Sequence, residues 1–282
     1  MSDETRDIAP RSPTSRWRAF WERGRWWKAV VLVVVYYVLY QLGGFLFLPF
    51  RGDPEPGSAA AMLFDYILPI GFGGVLLIAF GLSLGWLREL FGRQPIKGRG
   101  WMWIAVAVVL LFNALRFASL DYAAAGFDVV AAWLVAGLCI GFAEEVLTRG
   151  YVVTLMRKAG HSELATALVS AALFAAMHSG NLLEGQSLIA TAIQVVYTFA
   201  FGICMYLTLR VTGHLIWPIL LHASTDPSIY LLTEHPGSGP LTTFAGFGNI
   251  AVILFGLVAI VFIRGRVAAS AGTASPALEP NK

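Results

Sequence analysis

Six side chains in this 282-residue chain have the types and spacing that acid–base chemistry requires. GFAEEVLTRGY (141–151) places Glu144, Glu145 and Arg149 in an apolar run that starts near Phe127. LFAAMHSGN (173–181) puts Phe174 and His178 on one helical face, and HLIWPILLHASTDP (214–227) does the same for His222 and Asp226. Glu145 and Arg149 stand four apart in acid-before-base order, so this pair neutralises itself. Glu144 lies about 100° further round the helix axis and needs another partner. A positioned carboxylate can take a proton from water, and donors in a water-poor pocket can stabilise an oxyanion. Pro218, four residues before His222, is expected to loosen that helix and admit a hydrated pocket. His161, His214 and His235 fall in loops or at interfaces and receive no role.

The elements that must hold these groups lie in a membrane. The chain is 57% hydrophobic and only 13% charged, against roughly 25% charged in soluble domains, and its mean hydropathy is +0.68. Eight apolar spans are expected, at about 28–50, 61–86, 101–119, 127–156, 162–180, 187–209, 214–233 and 243–263. This predicts an all-α polytopic helical bundle. Residues 1–27 form a basic and aromatic segment, 28–264 the membrane domain with its core at about 127–233, and 265–282 a disordered tail. With both termini cytoplasmic, 17 of the 20 Lys and Arg residues fall on the inner side, as the positive-inside rule requires. Arg51 and Arg116 fall outside, and Arg149 within a span. RWRAFWERGRWWK (16–28) reads as an interfacial anchor for anionic lipid rather than a nucleic-acid site. Cys139 and Cys204 both lie in apolar runs and read as free thiols. Counting the helical rise puts Glu144 near mid-membrane, His178 toward the outer side and His222 nearer the cytoplasm. Tilted or uneven helices would have to bring them together.

The ordered set E-E-x-x-x-R, F-x-x-x-H and H-x-x-x-D, each in its own span, resembles the CPBP family. These are the CAAX-protease and bacteriocin-processing, or Abi, intramembrane proteases. The motifs run from Glu144 to Asp226, and the eight-span layout extends the likeness over most of the chain. The resemblance implies a glutamate-dependent endopeptidase needing no metal, which hydrolyses a membrane-embedded or lipid-anchored peptide. Glu144 with His178 would activate water, His222 and Asp226 would stabilise the oxyanion, and Glu145 with Arg149 would support the site. Many members are bacterial, which implies a plasma-membrane location.

Position 226 is Asp where Asn is common in the family. An ionised carboxylate repels an oxyanion, so Asp226 is expected instead to orient His222 by accepting its ring N–H. Glu144, His178, His222 and Asp226 also make a plausible two-His, two-carboxylate zinc set, the alternative to a metal-free site. The remaining alternatives are a non-proteolytic transporter or proton relay, and an inactive immunity or scaffold member of the family.

Overall fold

The computed structural model describes residues 15–267. A short helix α1 (Arg16–Glu22) precedes eight long ones: α2 (Trp26–Gly44), α3 (Ala59–Leu84), α4 (Gly100–Ala118), α5 (Phe127–Lys158), α6 (Glu163–Leu182), α7 (Leu188–Thr212), α8 (Ile216–Glu234) and α9 (Pro240–Phe262). No β-strand occurs among the described residues. The tail expected to be disordered lies outside them from residue 268 onward. The chain is therefore a helical polytopic bundle and an integral membrane protein. Seven of the long helices are apolar enough to cross a membrane. The eighth, α8, is 19 residues long but too polar to qualify, because it carries His222, Asp226 and the Ser224/Thr225/Ser228 run. Large apolar side chains stand exposed around the outside, among them Val35, Leu42, Val75, Leu82, Leu110, Leu134, Ile189 and Leu254. Lipid is the solvent that tolerates such a surface.

α5 packs closely against α8, and the reason is written in α5. Gly137 and Gly141 form a G-x-x-x-G stripe, the spacing that lets membrane helices approach at backbone distance. A Cβ on Gly141 would stand 2.6 Å from the Ile219 carbonyl and 2.8 Å from the Ala223 nitrogen. Gly137 sits against the Ala223 carbonyl and the Pro227 ring. Pro227 lies inside α8 and has no N–H to offer that carbonyl. The expected loosening at Pro218 does not occur there. Pro218 falls in the first turn of α8, where backbone N–H groups have no helical partner to lose. The interior proline is Pro227, directly after Asp226.

A second anchor lies where α5 meets α6. Fully buried Glu163 accepts hydrogen bonds from Arg157 at 2.8 and 2.6 Å and from Arg210 at 2.9 Å, and one from the Tyr206 hydroxyl. Gln94 accepts from Arg157 at 2.5 Å, and the Lys97 carbonyl from Arg210 at 3.1 Å. Two arginines that sequence reading assigns to inner loops are thus buried and tie α5, α6, α7 and the 94–97 loop together. The N-terminal segment also packs into the bundle. Trp21 of α1 is buried, Trp17 donates to Ser83 at 3.0 Å, and Glu22 receives Trp86 and Lys158, both at 2.8 Å. Glu22 is partly desolvated, which alone would raise its pKa, yet the two donors hold its carboxyl below the usual range.

Candidate active site

Helical bookkeeping removes the expected mismatch of depths. α5 and α6 form a hairpin, so Glu144 lies 14 residues before Lys158 and His178 lies 15 residues after Glu163. Both are about 21–22 Å from the hairpin end, at the same level. His222 is only six residues, about 9 Å, from the start of α8. The chain just before that start is tied to the 94–97 loop, where the Gln94 N–H donates to the Gly213 carbonyl at 2.8 Å. Uneven helix starts therefore bring the three motifs to one depth.

Glu145 continues the Gly137–Gly141 face by one more turn, which aims it at α8. Its Oε1 accepts from His222 Nδ1 at 2.8 Å and from Arg149 Nη1 at 3.0 Å. The carboxylate that orients His222 through Nδ1 is thus Glu145. Close α5–α8 packing brings Glu145 within direct reach of that nitrogen. Asp226 Oδ2 stands 3.6 Å from the other nitrogen, Nε2, and Glu144 Oε2 stands at the same distance. Glu145 and Arg149 do pair as expected, and both are buried.

Between these groups α5 widens into a π-helical stretch, Val146–Val152, a distortion that recurs at functional sites. Within it the Thr148 hydroxyl donates to the Glu144 carbonyl at 2.5 Å and accepts from Arg149 Nη1 at 2.5 Å. The Arg149 guanidinium lies over the Phe174 ring, 4.5 Å from its centroid. Gly202 makes room for it, since a Cβ there would stand 2.9 Å from Nη2. Phe174 also meets His178 and His222 edge-on at 5.0 and 5.7 Å, and Phe201 meets His222 at 4.9 Å. The F-x-x-x-H motif thus supplies a spacer ring as well as a histidine. Phe201, Thr148 and Gly202 carry no motif signal and are visible only in three dimensions.

His178 Nδ1 donates to the Phe174 carbonyl at 3.0 Å. A carbonyl only accepts, so this bond fixes the proton on Nδ1 and leaves the Nε2 lone pair free in the neutral ring. Glu144, His178 and Asp226 line one cavity of about 1100 Å³, together with Tyr40, Tyr66, Tyr197 and Tyr230. Glu145, Arg149 and His222 stand behind its wall. Glu144 Oε2 is buried without a hydrogen-bond partner, 3.6 Å from His222 Nε2. Among the described residues, no three or more His, Cys, Asp or Glu side chains are disposed to hold a metal ion. Of the alternative zinc set, Glu144 Oε2 and Asp226 Oδ2 each stand 3.6 Å from His222 Nε2, whose Nδ1 is turned to Glu145. Cys139 and Cys204 are free thiols.

No curated protein matches the chain. A family model does, over residues 126–227, and its description is type II CAAX prenyl endopeptidase, Rce1-like. The matched segment, about a third of the chain, holds all seven motif residues from Glu144 to Asp226, and over it the chain is similar to the Rce1-like type II CAAX prenyl endopeptidases.

Proposed function

We propose that the chain is an intramembrane endopeptidase that hydrolyses a peptide bond of a membrane-embedded or lipid-anchored substrate, with Glu144 as general base. One observation carries this reading: Glu144 and His178 line one cavity, and Glu144 Oε2 lies 3.6 Å from Nε2 of His222, whose ring a buried charge network holds from behind. Glu144 takes a proton from a water whose other hydrogen is accepted by His178 Nε2. The hydroxide oxygen bonds to the scissile carbonyl carbon, and the carbonyl π electrons move onto oxygen. Nε2 of His222, carrying a proton, faces the gap between Glu144 and Asp226 and donates to that oxyanion. Its charge then balances Asp226, which sets the height of the second ring nitrogen from across the gap. The C–N bond breaks as Glu144 returns its proton to the leaving nitrogen. Packing around the two rings, by Phe174 and Phe201, keeps bulk water from the reacting atoms.

The charge bias supports both termini on the cytoplasmic side, and the family resemblance supports a bacterial plasma membrane. The N-terminal segment supplies the membrane-surface contact. Arg16, Arg23, Arg25 and Lys28 line a pocket of about 420 Å³ with Phe20 and Trp27, a lining suited to anionic lipid headgroups. The test is cleavage of a farnesylated CAAX-type peptide by liposome-reconstituted protein, with and without a strong chelator. The reading expects cleavage that His178→Ala and His222→Ala each reduce by at least about a hundredfold. It also expects no loss on chelation. Zinc-restored activity after chelation would move the site to metal chemistry. A well-folded wild type that cleaves nothing would place it among inactive members.

A further inference from the structure

Arg116 lies in the last turn of α4 and is 3% exposed. None of the ion pairs of the described residues includes it. Its guanidinium donates to two amide oxygens instead, Asn113 Oδ1 at 3.3 Å and Asn249 Oδ1 at 2.8 Å. The adjacent Gly248 has no side chain to obstruct it, since a Cβ there would collide with Nη2. A buried guanidinium facing only neutral oxygens is electrostatically incomplete, and at membrane depth such a group marks a functional site by default.

Asn249 connects this cation to the cavity that holds Glu144 and His178. Its Oδ1 is committed to Arg116, which leaves its NH₂ donors for the cavity. Donors and acceptors in series polarise one another, so the positive charge strengthens the amide as a donor toward an anion. Tyr197 lines the same cavity, and its hydroxyl has no hydrogen-bond partner. The other charged groups of the lining are carboxylates: Asp65, Glu144, Glu184 and Asp226. Arg51 already neutralises Asp65 through two hydrogen bonds, at 2.9 and 3.2 Å. Of the amides lining the cavity, Asn249 is the one hydrogen-bonded to a buried guanidinium, which makes it the favourable place for an anion.

We propose that Asn249, backed by Arg116, is a subsite for a carboxylate of the substrate, which fixes the direction in which a peptide crosses the cavity. This rests on the endopeptidase reading, and either a free C-terminus or an acidic side chain beyond the scissile bond supplies the chemistry. Both residues lie outside the matched segment 126–227, so the subsite is a feature of this chain's own flanking helices.

The experiment measures binding of three fluorescent farnesylated peptides to full-length Glu144→Gln protein in detergent. One ends in a free acid, one in an amide, and one in an amide with Glu as its last residue. The free acid is expected to bind about ten- to a hundredfold more tightly than the amide, the range of a charge-assisted hydrogen bond. Asn249→Leu should erase that preference, as should Arg116→Gln, while Arg116→Lys restores part of it. If the Glu-amide peptide binds like the free acid, a side chain can supply the carboxylate; if it binds like the plain amide, the terminus does. Equal affinities, no measurable binding of the free acid, or a preference that survives Asn249→Leu would overturn the subsite. Cleavage by the wild type is read separately. Absent cleavage with an intact acid preference counts against the endopeptidase alone, and cleavage without a preference counts against the subsite alone.

Discussion

Replacing Glu145 by Leu exposes how much the site depends on charge held inside the bundle. Glu145 is fully buried and, among the described residues, is the one ion-pair partner of Arg149, whose side chain is also fully buried. The substitution leaves that guanidinium without a counter-charge and leaves His222 Nδ1 without its acceptor. Removing one member of a buried ion pair costs about 3–5 kcal/mol. For a chain of this size each kcal/mol moves the melting temperature by roughly 2–4 °C, so a fall on the order of 10 °C is expected. Glu145→Gln keeps an acceptor oxygen for both donors and should lose roughly half as much. The double change Glu145→Leu, Arg149→Met removes both charges and should regain most of the stability, since well-packed apolar replacements of buried pairs are often neutral. It should not regain activity, because His222 stays unanchored. The assay is thermal unfolding of detergent-purified protein followed by far-ultraviolet circular dichroism, beside peptide cleavage on the same samples. A Glu145→Leu protein melting within about 2 °C of wild type would refute the buried pairing. A double variant no more stable than the single one would refute the reasoning about charge.

Three further outcomes follow from the architecture. Glu163→Leu strands Arg157 and Arg210 together, so it should lower stability by about 3–5 kcal/mol, while molecules that stay folded keep the wild-type cleavage rate, a contrast seen by pairing melts with active-site titration. Gly141→Ala drives a methyl into the Ile219 carbonyl and pushes α8 from α5; activity should fall at least about tenfold while the melt drops by only about 1–3 kcal/mol. Glu22 has a lowered pKa in the fold, so its contribution is present above the ordinary carboxylate pKa and is lost as pH falls through the lowered value. Docking of α1, followed by the emission of Trp17 and Trp21, should persist at pH 6 and weaken in acid, whereas Glu22→Gln should weaken it at both.

Much of this arrangement can be read from the residues themselves. Seven of the eight long helices fall on apolar runs, because hydrocarbon demands about 20 apolar residues per crossing. The Glu145–Arg149 pair follows from spacing on a single helix. What spacing cannot convey is which face another helix will cover. The Glu145–His222 bond depends on α5 and α8 touching, and its readable signal is the Gly137/Gly141 stripe that points along the same face. Arg157, Arg210 and Arg116 look like ordinary loop charges because the charge bias concerns where cations lie along the chain, not what they touch. Pro218 and Pro227 illustrate the same point, since a proline's effect depends on whether its helix has already begun.

The most direct test of the central claim is the single-turnover cleavage rate of Glu144→Gln beside wild type, both in liposomes with saturating farnesylated peptide. The substituted amide keeps the size of the side chain but cannot take a proton from water. A loss of at least about a thousandfold, with melting temperature and peptide affinity close to wild type, is expected if Glu144 is the base. A Glu144→Gln protein that still cleaves at a tenth of the wild-type rate or faster would contradict the account.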